Sequence, residues 1–354
     1  MTRKKIKKND AIARVPIVNL KTVIVAILVL IGIALLIPRL VSLEEALKLL
    51  LQVNKPYLLL ALAAEFISYS AAAWLLGIIL SRMGFRLPFI DRFRIGSIAA
   101  FAIHFLPIGT FGEGALDYYF LHSKRVNTGS ILITLLLRIV ITYAAFTFLF
   151  FVGLILVPTA FNASSKSFIA MGVLAVITVL GAFYLFYLYK NKKKFRNAWK
   201  RLINFFSKPI SKLLGRPVTE QKKEEIFEDI YSGLHLFSRR KRVTVLAISA
   251  GLLYWLGDIT CLFFVFLSFG YTINFGVLIF SYVLSTLAGM ISFIPGGLGI
   301  TEGSLGLIFN SFSIPLNISL VSILVFRLLS FWFWIPVGLI SYLTLSREIS
   351  RDNK

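Results

Sequence analysis

Only one of the 354 residues is cysteine, Cys261, and it lies within a long apolar run, so the chain has no internal disulfide framework and no cysteine-based metal cluster. Acid is scarce as well: 16 Asp and Glu stand against 38 Lys and Arg, and charged residues of both signs make up only 15% of the chain. Soluble domains carry about 25% charged residues, so a water-facing surface of the ordinary kind is missing. No P-loop, HExxH, GxSxG or dinucleotide fingerprint is present, nor a metal-ligand spacing or a clustered His, Ser or Asp nucleophile. The reading is therefore a protein that is not an enzyme and needs no cofactor.

What is abundant is apolar surface. Hydrophobic residues make up 58% of the chain, with 33 Phe, 13 Tyr and 5 Trp. Runs at 20–38, 57–80, 129–158, 168–189, 243–269 and 316–345 are each long enough for a bilayer core, which takes roughly 20 helical residues. These read as six full spans. The first lacks an AxA-like cleavage site and reads as a retained anchor. The net charge of +22 could suggest a nucleic-acid binder, but no base-stacking motif accompanies it, and its distribution has another cause. All Lys and Arg except Arg39, Lys48, Lys55, Lys166, Arg138 and Arg327 fall in 1–21, 82–94, 124–125, 190–242 and 346–354. Basic loops mark the cytoplasmic side. The expectation is a multi-pass protein of the cell membrane with both termini cytoplasmic.

Two further segments, 95–121 and 274–312, are broken by Pro and Gly. Counting either as a full crossing would put basic segments outside, so both read as re-entrant helical hairpins, the first entered from the cytoplasm and the second from outside. FLPIGTFGEGALDYYFL and FIPGGLGITEGSLGLIF share a proline, a Gly-rich turn and a glutamate followed by Gly. Arg138 lies 25 residues after Glu113 and Arg327 lies 25 after Glu302, VGLI recurs at 152–155 and 337–340, and an acid precedes each hairpin, Glu65 and then Asp258. The expected fold is an all-α integral membrane protein of six spans and two hairpins, arranged as inverted-topology repeats. The organisation reads as a basic tail at 1–19, a first membrane half at 20–189, a basic amphipathic linker at 190–242, a second half at 243–345 and a short tail at 346–354.

A helix broken at bilayer depth must line a polar cavity or be buried in protein, because exposed backbone polar groups cost several kcal/mol each in hydrocarbon. Inverted repeats with discontinuous helices are a transporter signature. Glu113 and Glu302 are candidates to hold cationic groups or relay protons, and Arg138 and Arg327 to hold phosphate or to neutralise those acids in structural ion pairs. Asp258 and Glu65 are weaker candidates that line either the pathway or an interface. His104 reads as a packing residue, and Asp117, Tyr118 and Tyr119 as interfacial anchors. In the linker, Trp199, Leu202, Ile203 and Phe206 sit at helical spacing against Lys200 and Arg201, as in a helix lying on anionic inner-leaflet lipid.

The paired motifs FLPIGTFGE and FIPGGLGITEGSLG resemble those of the lysylphosphatidylglycerol synthase transmembrane, or flippase-like, domain family, over about 20–345. The resemblance implies a domain that moves lipids or lipid-linked head groups between leaflets. It carries to Pro107, Gly109, Gly112, Glu113, Pro295, Gly296, Gly297, Gly299 and Glu302 as substrate-binding positions. The chain shows no soluble aminoacyl-transferase domain after 345, so aminoacyl transfer is not expected of it. The reading is a lipid translocase with membrane lipids as partners. A non-transporting partner of a separate lipid synthase or glycosyltransferase and a membrane-embedded lipid-phosphate enzyme stay open, as does a homo-oligomer.

Overall fold

The computed structural model describes residues 53–105, 109–157, 190–201, 240–292 and 294–352, with scattered positions between 184 and 233. The expected span at 20–38, nearly all of that at 168–189, the tail at 1–19 and Pro107 lie outside the described residues.

The described membrane portion is helical in two parallel series. The first is α1 (Lys55–Arg82), α2 (Phe89–Phe105), α3 (Gly109–Ser123) and α4 (Thr128–Leu156). The second is α5 (Lys241–Ser268), α6 (Phe275–Ile291), α7 (Ile300–Ser311), α8 (Leu316–Arg327), a π-helical turn (Leu328–Trp332) and α9 (Trp334–Asp352). Four helical stretches are long and apolar enough to cross a membrane: α1, α4, α5 and the run Leu316–Arg351. They coincide with four of the six expected spans. The two α helices that lead into the broken segments, α2 and α6, have 17 residues each, about 25 Å at 1.5 Å per residue. The first starts at Phe89, earlier than the 95 read from the sequence.

Local chemistry sets the starts and stops. Asn127 accepts from the Ser130 N–H at 2.8 Å to start α4, and Asn274 accepts from Gly276 and Val277 at 2.9 and 3.2 Å to start α6. Between α6 and α7, Gly296, Gly297 and Gly299 have φ of 62°, 63° and 82°. Three left-handed residues in four cannot continue a right-handed helix.

The relative directions of the helices follow from named contacts. The Asn54 N–H before α1 donates to the Ser268 carbonyl at the end of α5 at 2.8 Å, Tyr57 stacks near Phe264 at 6.4 Å, and Ser68 reaches Tyr254, so α1 and α5 run antiparallel. Their crossing is close. A Cβ on Gly257 would lie 2.6 Å from Ser68 Cβ and 2.9 Å from the Ala64 carbonyl. Both broken segments fold back on themselves. Lys124, just after α3, pairs with Asp91 in the first turn of α2 at 2.8 Å, and Phe312, just after α7, meets Phe280 of α6 with ring centroids 6.2 Å apart. Each hairpin therefore opens at the carboxy-terminal end of its own long helix, α1 or α5.

The halves also exchange partners. The end of α4 packs on the start of α6, where a Cβ on Gly153 would stand 3.0 Å from the Phe280 nitrogen, and α9 packs on α2, where a Cβ on Gly338 would strike the Ser97 carbonyl. Gly153 and Gly338 are the glycines of the recurring VGLI. That repeat is a close-packing device at matched inter-half contacts.

Large apolar side chains face outward, among them Leu59 at 69%, Ile155 at 72% and Leu307 at 74% exposure. In water such a surface would aggregate, and in lipid it is solvated. The described part of the linker makes contacts within the protein. Phe195 and Trp199 pack against the buried cluster of Leu75, Ile79, Ile133, Leu137, Ile141, Ala247 and Ala250. Arg196 pairs with Glu224 and Glu228 at 3.0 and 2.7 Å, and Lys192 pairs with Glu228 at 2.7 Å. Phe195 and Trp199 therefore cover the protein's own core, while Leu202, Ile203 and Phe206 lie outside the described residues.

Candidate polar site at the two hairpins

Among the described residues, three groups of buried or partly buried ionisable side chains lie at the hairpins and the α1/α5 crossing. The first is at the first hairpin. Arg138, on α4, pairs with Glu113 and, at 2.7 Å, with Asp117 Oδ2, both on α3. Glu113 and Asp117 are four residues apart and so share one helix face. Asp117 is fully buried. It is not the interfacial anchor the sequence suggested, because it is the second acid on Arg138. The helical spacing was the available signal. Tyr118 bonds Thr128 at 3.0 Å, beside the hairpin's open end. Gly112 is buried within α3, Gly109 opens that helix, and Pro107 is outside the described residues.

The second group is at the second hairpin. Arg327 Nε stands 2.6 Å from Glu302 Oε1. The other carboxylate oxygen, Oε2, accepts the Gly299 N–H at 2.6 Å, so Glu302 closes the first turn of α7 from its third position. A carboxylate there also meets the positive end of the helix dipole. Arg327 in turn lies over the Phe331 ring at 5.5 Å, and His104 stacks on the same ring with centroids 4.2 Å apart. His104 thus packs against Phe331, with its Nδ1 buried and without a hydrogen-bond partner among the described residues. Gly296 and Gly297 are committed to the turn itself: a Cβ on Gly297 would lie 3.0 Å from the Gly289 Cα, and one on Gly296 would strike Phe331. Pro295 opens the short 3-10 turn Pro295–Gly297, while Gly299 has open space where a side chain would be.

The third group sits between them, at the α1/α5 crossing. Asp258 Oδ2 accepts from the Tyr282 hydroxyl at 2.7 Å. The Ser68 hydroxyl lies 2.8 Å from both Asp258 Oδ1 and the Tyr254 carbonyl, so its one proton serves either. Glu65, three residues before Ser68 on α1, is completely buried and within electrostatic reach of Asp258. Arg327 is within electrostatic reach of Asp258, and Arg138 of Tyr254. The crossing group is thus electrostatically coupled to both Glu–Arg pairs. Ser68, Tyr254 and Tyr282 were missed in the sequence, where isolated hydroxyls in apolar runs carry no pattern.

The profile of the lysylphosphatidylglycerol synthase TM region matches residues 23–338. A UPF0104 membrane protein of Methanocaldococcus jannaschii is 25% identical over 317 residues, covering 88% of this chain and 91% of its own. Another, from Methanothermobacter thermautotrophicus, is 32% identical over 131 residues, covering 35% and 39%. A third, from Pyrococcus horikoshii, is 32% identical over 115 residues, covering 32% and 34%. The chain belongs to the lysylphosphatidylglycerol synthase transmembrane-region family, a family of multi-pass membrane proteins related by name to lipid handling.

Proposed function

We propose that this protein is a lipid translocase, moving a phospholipid or lipid-linked head group between leaflets past the two hairpins. In this reading the hairpins are re-entrant, the two helical series are inverted-topology repeats, and both termini are cytoplasmic. The observation that carries it is the opening of the hairpins at opposite ends of the antiparallel α1/α5 pair, each with a Glu–Arg pair at its break. Such an arrangement presents the same chemistry to each side of a bilayer in turn, the geometry that alternating access requires. Glu113 and Glu302 would exchange their arginines for the cationic part of a head group, and Arg138 and Arg327 would take its phosphate, so each ionic contact broken is replaced by another. No covalent step is involved.

The test is purified protein in liposomes carrying head-group-labelled lipid. Leaflet exchange of chemically unchanged lipid is the expected result. Chemically altered lipid would point to an enzyme, and neither outcome would point to a partner of one. The orientation has its own check. In a Cys261→Ser background, an impermeant thiol reagent should label a cysteine placed near 126, at the exposed Arg125, from the inside only and one near 313 from the outside only.

A further inference from the structure

The buried acids at the α1/α5 crossing are not needed to hold either hairpin. Glu113, Asp117 and Glu302 each have an arginine as ion-pair partner, although Asp117 is left without a hydrogen bond among the described residues. Glu65 is different. It is completely buried, and beyond a weak contact with the Cys261 thiol neither of its oxygens has a hydrogen-bond partner among the described residues. Asp258, within electrostatic reach of it, accepts from the Tyr282 hydroxyl at 2.7 Å, has the Ser68 hydroxyl, shared with the Tyr254 carbonyl, at 2.8 Å, and has Arg327 within reach. The other titratable groups around Glu65 are Tyr69 on α1, Tyr254 and Cys261 on α5 and Tyr282 on α6. No cation among them touches Glu65.

Two carboxylates that face each other in a dry interior do not both ionise, and the proton stays on the one with fewer donors. Hydroxyl donors favour the charged form of Asp258. An unsolvated, undonated carboxylate is the costlier charge. We propose that Glu65 and Asp258 form a proton-binding site, with the proton resident on Glu65 and Asp258 ionised, and that release of this proton is coupled to the conformational change that carries lipid. The coupling rests on the translocase reading; the proton site itself does not. The location suits the task, because the site lies on the crossing between the two halves, at a contact that any rocking of one half on the other must alter. The helices are in close contact there: a Cβ on Gly257 would already lie 2.6 Å from Ser68 Cβ and 2.9 Å from the Ala64 carbonyl.

Infrared spectroscopy of the purified protein in detergent tests the site without any transport. Wild type should show the carbonyl stretch of a protonated, buried carboxylic acid, shifted in deuterated water. Glu65→Gln should lose it, Asp258→Asn should keep it, and Glu65→Asp should restore it at an altered frequency, with monodisperse elution showing that each variant is folded. Absence of the band from folded wild type overturns the site. Transport tests the coupling: one proton per cycle makes a gradient of one pH unit worth a factor of about ten in the steady-state distribution of lipid between leaflets. Folded Glu65→Gln should show no such bias. A wild-type distribution that ignores the pH gradient, or follows sodium instead, overturns the coupling. Wild type that moves no lipid but keeps the band leaves the proton site standing and overturns the translocase reading, and the coupling falls with it.

Discussion

The two hairpins carry the same Glu and Arg 25 residues apart, yet the ion pairs are finished in different ways. In the first, Arg138 is shared by two carboxylates, Glu113 and Asp117, one turn apart on α3. In the second, Gly306 stands where Asp117 does, four residues after the glutamate, and Glu302 is itself shared, between Arg327 and the Gly299 N–H. The first site has more acid than base. The second is balanced, with its arginine covered by Phe331. One sequence motif thus supports two electrostatic environments, and a head group passing between them would meet an acidic hairpin and a neutral one.

The largest effect should come from removing the shared arginine. Arg138→Gln leaves two carboxylates together, one of them fully buried, and breaking a buried pair by deleting one partner costs about 3–5 kcal/mol. Arg327→Gln leaves an acid that keeps a backbone donor and a helix terminus, so a smaller loss, about 1–3 kcal/mol, is expected. Thermal unfolding of the two variants in detergent checks the ranking. Adding Asp117→Asn should recover part of the Arg138→Gln loss, and equal losses for the two arginine variants would erase the distinction between the hairpins.

Next in size is the turn. Gly297→Ala must place a side chain at φ 63° and 3.0 Å from the Gly289 Cα, a combination worth about 1–3 kcal/mol. Gly112→Ala, inside α3, carries no such backbone penalty. A melting temperature lowered by both to the same extent would mean that the first hairpin is as strained as the second.

A double-mutant cycle then resolves the pairs. Glu302→Gln with Arg327→Gln should show coupling of about 1–3 kcal/mol, near the upper part of the range for contacting residues. Glu113→Gln with Arg138→Gln should show about 1 kcal/mol less, because Asp117 keeps Arg138 partnered when Glu113 is neutral. Chemical stability measured on the two sets of variants gives both values, and strict additivity in the second hairpin would mean that Glu302 and Arg327 do not interact.

Much of this was legible in the chain and some was not, for physical reasons. The hairpins were readable because Pro and Gly interrupt an apolar periodicity, and the pairs because equal offsets survive in both halves. Helix spacing could have brought Asp117 to Arg138, but its place near a basic loop suggested an interface. The Glu65 and Asp258 pair was beyond reach: the residues are 193 positions apart, and only the antiparallel crossing of α1 and α5 brings them together. The same holds for Phe195 and Trp199, whose apolar face fits a membrane surface or a protein groove equally well in sequence. In the fold both pack against the protein's own core.

The smallest expected change in stability is at the glycine that follows each glutamate, Gly114 and Gly303, and it bears most directly on function. Both are helical, and a Cβ on either would meet nothing within 4 Å. Alanine there removes backbone freedom from the unfolded chain and adds no clash, so Gly114→Ala and Gly303→Ala should be neutral or stabilising by up to about 1 kcal/mol. Packing gives no reason for glycine at either place. If the open space beside each Glu is where a head group approaches the hairpin, a methyl group there should slow lipid exchange in liposomes several-fold while the melting temperature holds or rises. Because the first hairpin carries the extra acid, Gly114→Ala should slow lipids with cationic head groups more than Gly303→Ala does. Stable variants that exchange lipid at the wild-type rate would mean that the substrate does not pass against these faces, and the path would have to be sought along the α1/α5 crossing instead.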